Sequence, residues 1–306
     1  MAKGQDIVAL ARAALDGKRE EVFRVCRHIA ANEPSTSSLK ESISRMLSRI
    51  PSQVLSVDGL PMELKGLVLP IQPDLTLADT AIPDDVANEL ASFLEDQAHA
   101  ESIRAAGLAT PHKVLLCGPP GNGKTTLAGA MAHSLGLPLY AIDFSAVVSS
   151  HMGETSAKIA KVFRNVASQP AVLFIDEMET LLSERSGRNG RSDVGEMARV
   201  VSTVLLEIDR LPDHVIFVGA TNHEEMLDRA VVRRFDYCWS LPAPTGAMVA
   251  AWLKRFARRY PDIPVLTEMP VIRADGRSLS DIERDAKKWC RRWIVESRQA
   301  ISQAMA

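Results

Sequence analysis

Residues 113–127 read KVLLCGPPGNGKTTL, and this stretch decides the fold. The apolar run 114–117 has the length and composition of a short buried strand. A glycine- and proline-rich turn follows it, and a helix opens at Lys124. From Gly118 through Gly123, Lys124 and Thr125 the spacing fits G-x-x-x-x-G-K-[ST], the pattern of a phosphate-binding loop. Glycines let backbone N–H groups close around phosphate oxygens, and the following helix aims its positive dipole end at the same charge. Lys124 can reach the β- and γ-phosphates of a nucleotide, and the Thr125 hydroxyl can ligate Mg²⁺. The expected nucleotide-binding residues are Gly118, Pro119, Pro120, Gly121, Asn122, Gly123, Lys124, Thr125 and Thr126.

A second acidic element lies about fifty residues on. Residues 172–177 read VLFIDE, a buried strand that ends in two carboxylates. Asp176 can hold the Mg²⁺ shell beside Thr125, and Glu177 can orient and polarise an attacking water. Residues 219–222, GATN, close another apolar strand, and Asn222 is placed to contact a γ-phosphate or the water.

Around these sites the chain alternates strand and helix. Strands are expected at 114–117, 139–142, 172–175, 215–218 and 237–241. Helices are expected at 124–135, 155–167, 195–208 and near 228–232. Continuous apolar strands separated by helices predict an α/β fold with a parallel five-stranded sheet sandwiched by helices. Ahead of it, one helix is expected from Pro83 to about Ala106, closed by Gly107. Beyond Pro244, helices at 246–259, 279–292 and 294–305 predict a small all-α subdomain. Three amphipathic helices within 1–50 form a helical N-terminal bundle suited to binding a partner. The domains are thus 1–50, a proline-broken linker with some strand at 51–76, an α/β nucleotide-binding core at 77–242 and the all-α subdomain at 243–306. The polar stretch 183–194, SERSGRNGRSDV, reads as a loop.

The whole chain of 306 residues has a formal charge of −2, which does not advertise nucleic-acid binding. Residues 245–306 carry 12 basic and 7 acidic side chains, read here as a solvated helical face. Cys26, Cys117, Cys238 and Cys290 have no metal-site spacing and fit a reducing compartment, with Cys117 and Cys238 expected as buried core thiols. No apolar run approaches the ~20 residues needed to span a membrane, so a soluble, cytoplasmic protein is expected.

The ordered set GPPGNGKT, VLFIDE, GATN and LDRAVVRRFD resembles the AAA family of ATPases, over the chain from about residue 77 onward. The resemblance implies a P-loop NTPase fold, ATP and Mg²⁺ as cofactors, and a homo-oligomeric ring, most often a hexamer. It implies that Arg233 and Arg234 act as arginine fingers on the γ-phosphate held by the neighbouring subunit, alongside Lys124, Glu177 and Asn222 as catalytic residues. Residues 149–156, SSHMGETS, are similar to the family's first pore loop, with His151 in the usual aromatic position, then Met152 and Gly153. Members that thread polypeptide grip it with that aromatic, and a histidine grips less well. Residues 276–282, GRSLSDI, resemble the family's lid motif imperfectly, and Arg277 is a candidate nucleotide sensor.

The leading expectation is a ring ATPase that remodels, unfolds or disassembles protein substrates. No HExxH motif occurs, so any proteolysis belongs to a separate protease. The alternative is an ATP-dependent loader or switch on nucleic acid, for which the basic tail is the one candidate element. A catalytically dead nucleotide-binding scaffold conflicts with the presence of Glu177, Asn222, Arg233 and Arg234.

Overall fold

The computed structural model describes residues 66–72, 75–142, 155–179, 193–269 and 274–304. The expected N-terminal bundle, the pore-loop residues His151, Met152 and Gly153, and most of the 183–194 loop lie outside these residues.

All five expected strands are present: β2 (Lys113–Cys117), β3 (Leu139–Ile142), β4 (Ala171–Ile175), β5 (Val215–Thr221) and β6 (Tyr237–Ser240). A sixth, β1 (Val68–Ile71), precedes them, and the sheet order is β1-β3-β4-β5-β2-β6. The pairs β3–β4, β4–β5, β5–β2 and β2–β6 are parallel. β1 runs antiparallel to β3 and places Pro70 opposite Tyr140. It arises within the stretch read as a linker. Proline is excluded from central strands but tolerated at an edge, where no second neighbour needs its missing N–H.

Every residue of β4 and β5 is buried, which is why those runs are continuously apolar instead of alternating. On one face lie α1 (Asp84–Ala98) and α3 (Lys124–Leu135). Leu90 and Phe93 of α1 and Leu127 and Met131 of α3 share a core cluster with Val114, Leu116, Phe174, Ile216 and Trp239. On the other face Phe217 meets Phe163 of α4 (Thr155–Val166), with ring centroids 6.4 Å apart, and stacks on Phe235 at 5.6 Å. Helix α5 (Asp193–Arg210) packs on α4, and the short α6 (Arg229–Val232) lies between β5 and β6 in the chain.

Three expectations need correction. The helix predicted from Pro83 to Ala106 is two, α1 and α2 (Ala100–Ala105). His99 leaves the helical region at φ −107°, ψ 13°, and the turn lets Arg104 pair with Asp213 at 3.1 Å. In the lid, α7 (Gly246–Arg258) is as predicted, but the two helices expected after it are one, α8 (Leu279–Ala304). No residue breaks the helix near 293. Trp293 donates its Nε1–H to Glu268, and Arg292 reaches Glu296 one turn on. Cys117 is buried as expected, whereas Cys238 is exposed. β6 is an edge strand, so its residues alternate and Trp239 takes the inward position.

The lid closes on its own small core, where Ile282, Ala286 and Cys290 lie at four-residue spacing on α8 against Val249, Trp252 and Phe256 of α7.

Phe93 is fully buried and meets Tyr237 and Trp239 edge-on, at 5.8 and 6.0 Å. Phe93→Ala is expected to cost about 3–5 kcal/mol. Urea unfolding followed by tryptophan fluorescence should show a lower midpoint with an unchanged slope.

Candidate active site

The loop between β2 and α3 starts at a position only glycine can fill. Gly118 has φ +138°, and a Cβ there would lie 2.3 Å from the Leu241 carbonyl oxygen. Its N–H donates to the Thr221 carbonyl at 3.2 Å, while Leu241 N–H donates to the Cys117 carbonyl at 2.7 Å. The loop is thereby clamped between the ends of β5 and β6. Gly123, at φ 89°, turns the chain into α3 so that Lys124 is its first residue.

Lys124 is 6% exposed. Its Nζ donates to the Gly118 carbonyl at 2.6 Å, the Pro119 carbonyl at 3.1 Å and Asn222 Oδ1 at 2.7 Å. Burial pushes the ammonium below the ordinary lysine range, opposed by the negative charges of Asp176 and Glu179. Three oxygens thus satisfy its three donors while it lies back in the loop.

Thr125 and Thr126 are exposed at the start of α3, and Thr125 donates its hydroxyl to Asp176 Oδ2 at 3.2 Å. A hydroxyl and a carboxylate converging from two elements form a hard-oxygen pair that fits Mg²⁺. Glu177 follows just beyond β4, exposed and with φ 51°, an unusual value for a residue with a side chain. Its N–H donates to Asp176 Oδ1 at 2.9 Å. β4 and β5 run in register, Ile175 opposite Gly219, so Asp176–Glu177 and Thr221–Asn222 leave the sheet side by side.

Glu179 is absent from the sequence expectations. It is 8% exposed, and its Oε1 accepts the Asn222 N–H at 3.2 Å. Burial pushes its carboxyl up, but hydrogen bonding from Thr221 and Asn222 outweighs burial and holds it below the usual range. In the sequence it is one more acid after a strand, with nothing to separate it from a surface residue.

Asn122, expected to bind nucleotide, is buried. It donates to the Leu241 carbonyl at 3.4 Å and accepts the Leu279 N–H of α8 at 3.2 Å. Ser280 donates both its N–H and its hydroxyl to the Gly121 carbonyl, at 2.9 and 3.0 Å. The lid therefore rests directly on the loop. A cleft between them is lined by Gly121, Gly123 and Thr126, by Thr80 to Ile82, and by Trp252 and Phe256. Arg277 is engaged within the lid, by Asp285 and the Asp281 carbonyl.

The two arginines ahead of Phe235 differ. Arg234 donates to Asp209 at 3.1 Å and to the Ala230 carbonyl. Arg233 is exposed and has no partner among the described residues. The next two residues anchor the segment. Phe235 stacks on Phe217, and Asp236 accepts the N–H groups of His112 and Lys113 at 2.8 and 2.9 Å.

Replacing Lys124 by Ala removes the one ammonium buried in the loop. With a hydrogen bond to a charged group worth about 1.5–3 kcal/mol, the Kd for a fluorescent nucleoside triphosphate should rise about 10- to 150-fold. Titration of wild type and variant, with matched circular dichroism spectra, checks this.

Residues 114–242 match the model of the ATPase family associated with various cellular activities (AAA). An uncharacterised AAA family ATPase of Sinorhizobium fredii, y4kL, is 30% identical over 314 residues, covering 99% of this chain and 93% of that one. An ATP-dependent zinc metalloprotease FtsH of Acidothermus cellulolyticus is 32% identical over 200 residues, which is 63% of this chain and 30% of that protein. The chain thus spans under a third of the length of that relative. The crystal structure of the FIGL-1 AAA domain is similar at a TM-score of 0.50 and 25% identity, over 62% of each chain. The matched span takes in the loop, Asp176 and Glu177, Asn222 and both arginines, and the chain belongs to the AAA family of ATPases.

Proposed function

We propose that this ATPase works as a ring of its own copies, most simply a hexamer, that couples ATP hydrolysis to remodelling, unfolding or disassembly of protein substrates. The observation that carries the reading is the convergence of Lys124, Asn222, Thr125 and Asp176 at one loop, with Glu177 beside them and Arg233 left without a partner among the described residues.

In this reading Lys124 exchanges its loop carbonyls for the β- and γ-phosphate oxygens of ATP. The N–H groups of Gly121 to Thr125, at the N-terminal end of α3, hold the remaining phosphate charge. Thr125 and Asp176 would hold Mg²⁺, which when bound supplies neutralising charge to the phosphate oxygens. Glu177 orients the attacking water and accepts its proton. Asn222 positions the water or the γ-phosphate and keeps Lys124 aligned.

Arg233 serves the loop of the next subunit, which makes each site incomplete in an isolated chain. Arg234, tied to Asp209, holds the segment that presents Arg233. Residues 1–50 would select a partner and the stretch ahead of β1 would link them to the core, which runs to 242 with the lid at 243–306. His151, Met152 and Gly153 would line the central pore. The named protease activity of the FtsH relative belongs to that protein, and here a separate protease would have to supply it.

Glu177→Gln tests the hydrolytic part. Wild type should turn over ATP, and the variant should bind it without turnover and accumulate as an ATP-stabilised ring in light scattering. An ATP-bound monomer that never hydrolyses would sink the proposal. Strong, salt-sensitive stimulation by duplex DNA would instead favour a nucleic-acid loader.

The arginine assignment has its own test. Arg233→Ala should lower turnover about 10³-fold or more while nucleotide binding persists. Mixing it with Lys124→Ala subunits should restore part of the activity, because mixed interfaces pair an intact loop with an intact Arg233. Failure to restore activity, with mixed rings present, would place Arg233 in its own subunit's chemistry.

A further inference from the structure

Glu179 is a buried acid that the scheme above leaves without a role. A carboxylate at 8% exposure is unusual, since burying it costs energy unless hydrogen bonds compensate. No salt bridge to it is present among the described residues. What surrounds it is the end of β5. Its Oε1 accepts the main-chain N–H of Asn222 at 3.2 Å, while its Oε2 is buried beside Thr221 without a hydrogen-bond partner among the described residues. Thr221 Oγ1 in turn accepts the N–H of His223 at 3.1 Å, so the turn that leaves the strand is tied at two successive N–H groups, those of Asn222 and His223. The side chain of Asn222 then points at Lys124, Oδ1 to Nζ at 2.7 Å. A continuous hydrogen-bonded path therefore runs from Glu179 through the Asn222 peptide and side chain to the lysine that lies against the loop carbonyls.

We propose that Glu179 is a positioning residue for ATP hydrolysis: by holding the Asn222 N–H it fixes where the Asn222 amide stands relative to Lys124 and the γ-phosphate. The inference rests on the reading of this site as hydrolytic. The geometry makes the acceptor atom, and its distance from the chain, the property that matters. Gln keeps an oxygen at the same reach, and its NH₂ can donate to Thr221, whose hydroxyl has a second lone pair. Asp keeps the charge but draws the acceptor back by one methylene. A displacement near 1 Å in such a contact can cost up to about 100-fold in rate.

The test uses the full chain and four variants, Glu179→Gln, Glu179→Asp, Asn222→Ala and Glu179→Asp/Asn222→Ala, with kcat, KM and thermal midpoint measured for each. Glu179→Gln should stay within about threefold of wild-type kcat, and Glu179→Asp should lose about tenfold or more with KM changed by less than about threefold. The double variant should be no slower than Asn222→Ala, because the two residues act through one group. The proposal is overturned if Glu179→Asp turns over like an active wild type. It is equally overturned if Gln is slower than Asp, which would make the charge the relevant property, or if the single losses multiply in the double variant. A wild type without turnover fails the hydrolytic reading itself and takes this inference with it.

Discussion

Gly118 is the constraint on which the site depends. It sits where three parallel strands end together, with its N–H on the carbonyl of Thr221 and its Cα against the carbonyl of Leu241. A side chain there would overlap main chain, which cannot move aside without breaking the register of β2 with β5 and β6. Because the loop leaves the sheet at this one point, everything it must meet arrives at the carboxyl ends of the parallel strands. Asp176 and Glu177 come from β4, and Thr221 and Asn222 from β5. Doubly wound sheets bind ligands at this edge for the same reason.

The electrostatics follow from that geometry. Lys124 is pressed among carbonyls and nearly out of water, which disfavours its charge, and Asp176 and Glu179 offset only part of that. The site thus carries a buried ammonium already satisfied by three oxygens and countered by two acids. A triphosphate offers stronger acceptors at the same place, so binding exchanges one set of contacts for a better one and the burial cost is met in advance. The left-handed backbone of Glu177 belongs to the same arrangement. Its N–H donates to the carboxylate of the neighbouring Asp176, so the two consecutive acids are linked through the main chain.

The lid is part of this edge as well. Gly121 and Asn122 are tied to Ser280 and Leu279 at the start of α8, and a Cβ on Gly121 would come within 3.0–3.2 Å of Ser278 and Ser280. At these positions the chain departs from the family's lid motif, and Ser280 uses its hydroxyl on the loop carbonyl. The phosphate loop and the lid are therefore joined by three hydrogen bonds, one to Asn122 and two to the Gly121 carbonyl, whereas Arg277 is engaged inside the lid.

The sequence by itself determined the phosphate loop, the five core strands, the acids closing β4 and the asparagine closing β5. These depend on spacing within a few residues and on the continuous apolar runs that a sheet covered on both faces demands. What only the tertiary structure decided are features set by residues distant along the chain. β1 is a strand because β3 offers its edge some seventy positions later, where Pro70 is harmless. Cys238 is exposed because its neighbour Trp239 takes the buried face of β6 and successive side chains point to opposite faces. Arg234 is committed and Arg233 is not because Asp209 lies at the end of a different helix. Glu179 matters because Asn222, 43 residues away, brings its N–H to it, and a pairing of that range leaves no periodic trace in the residues on either side.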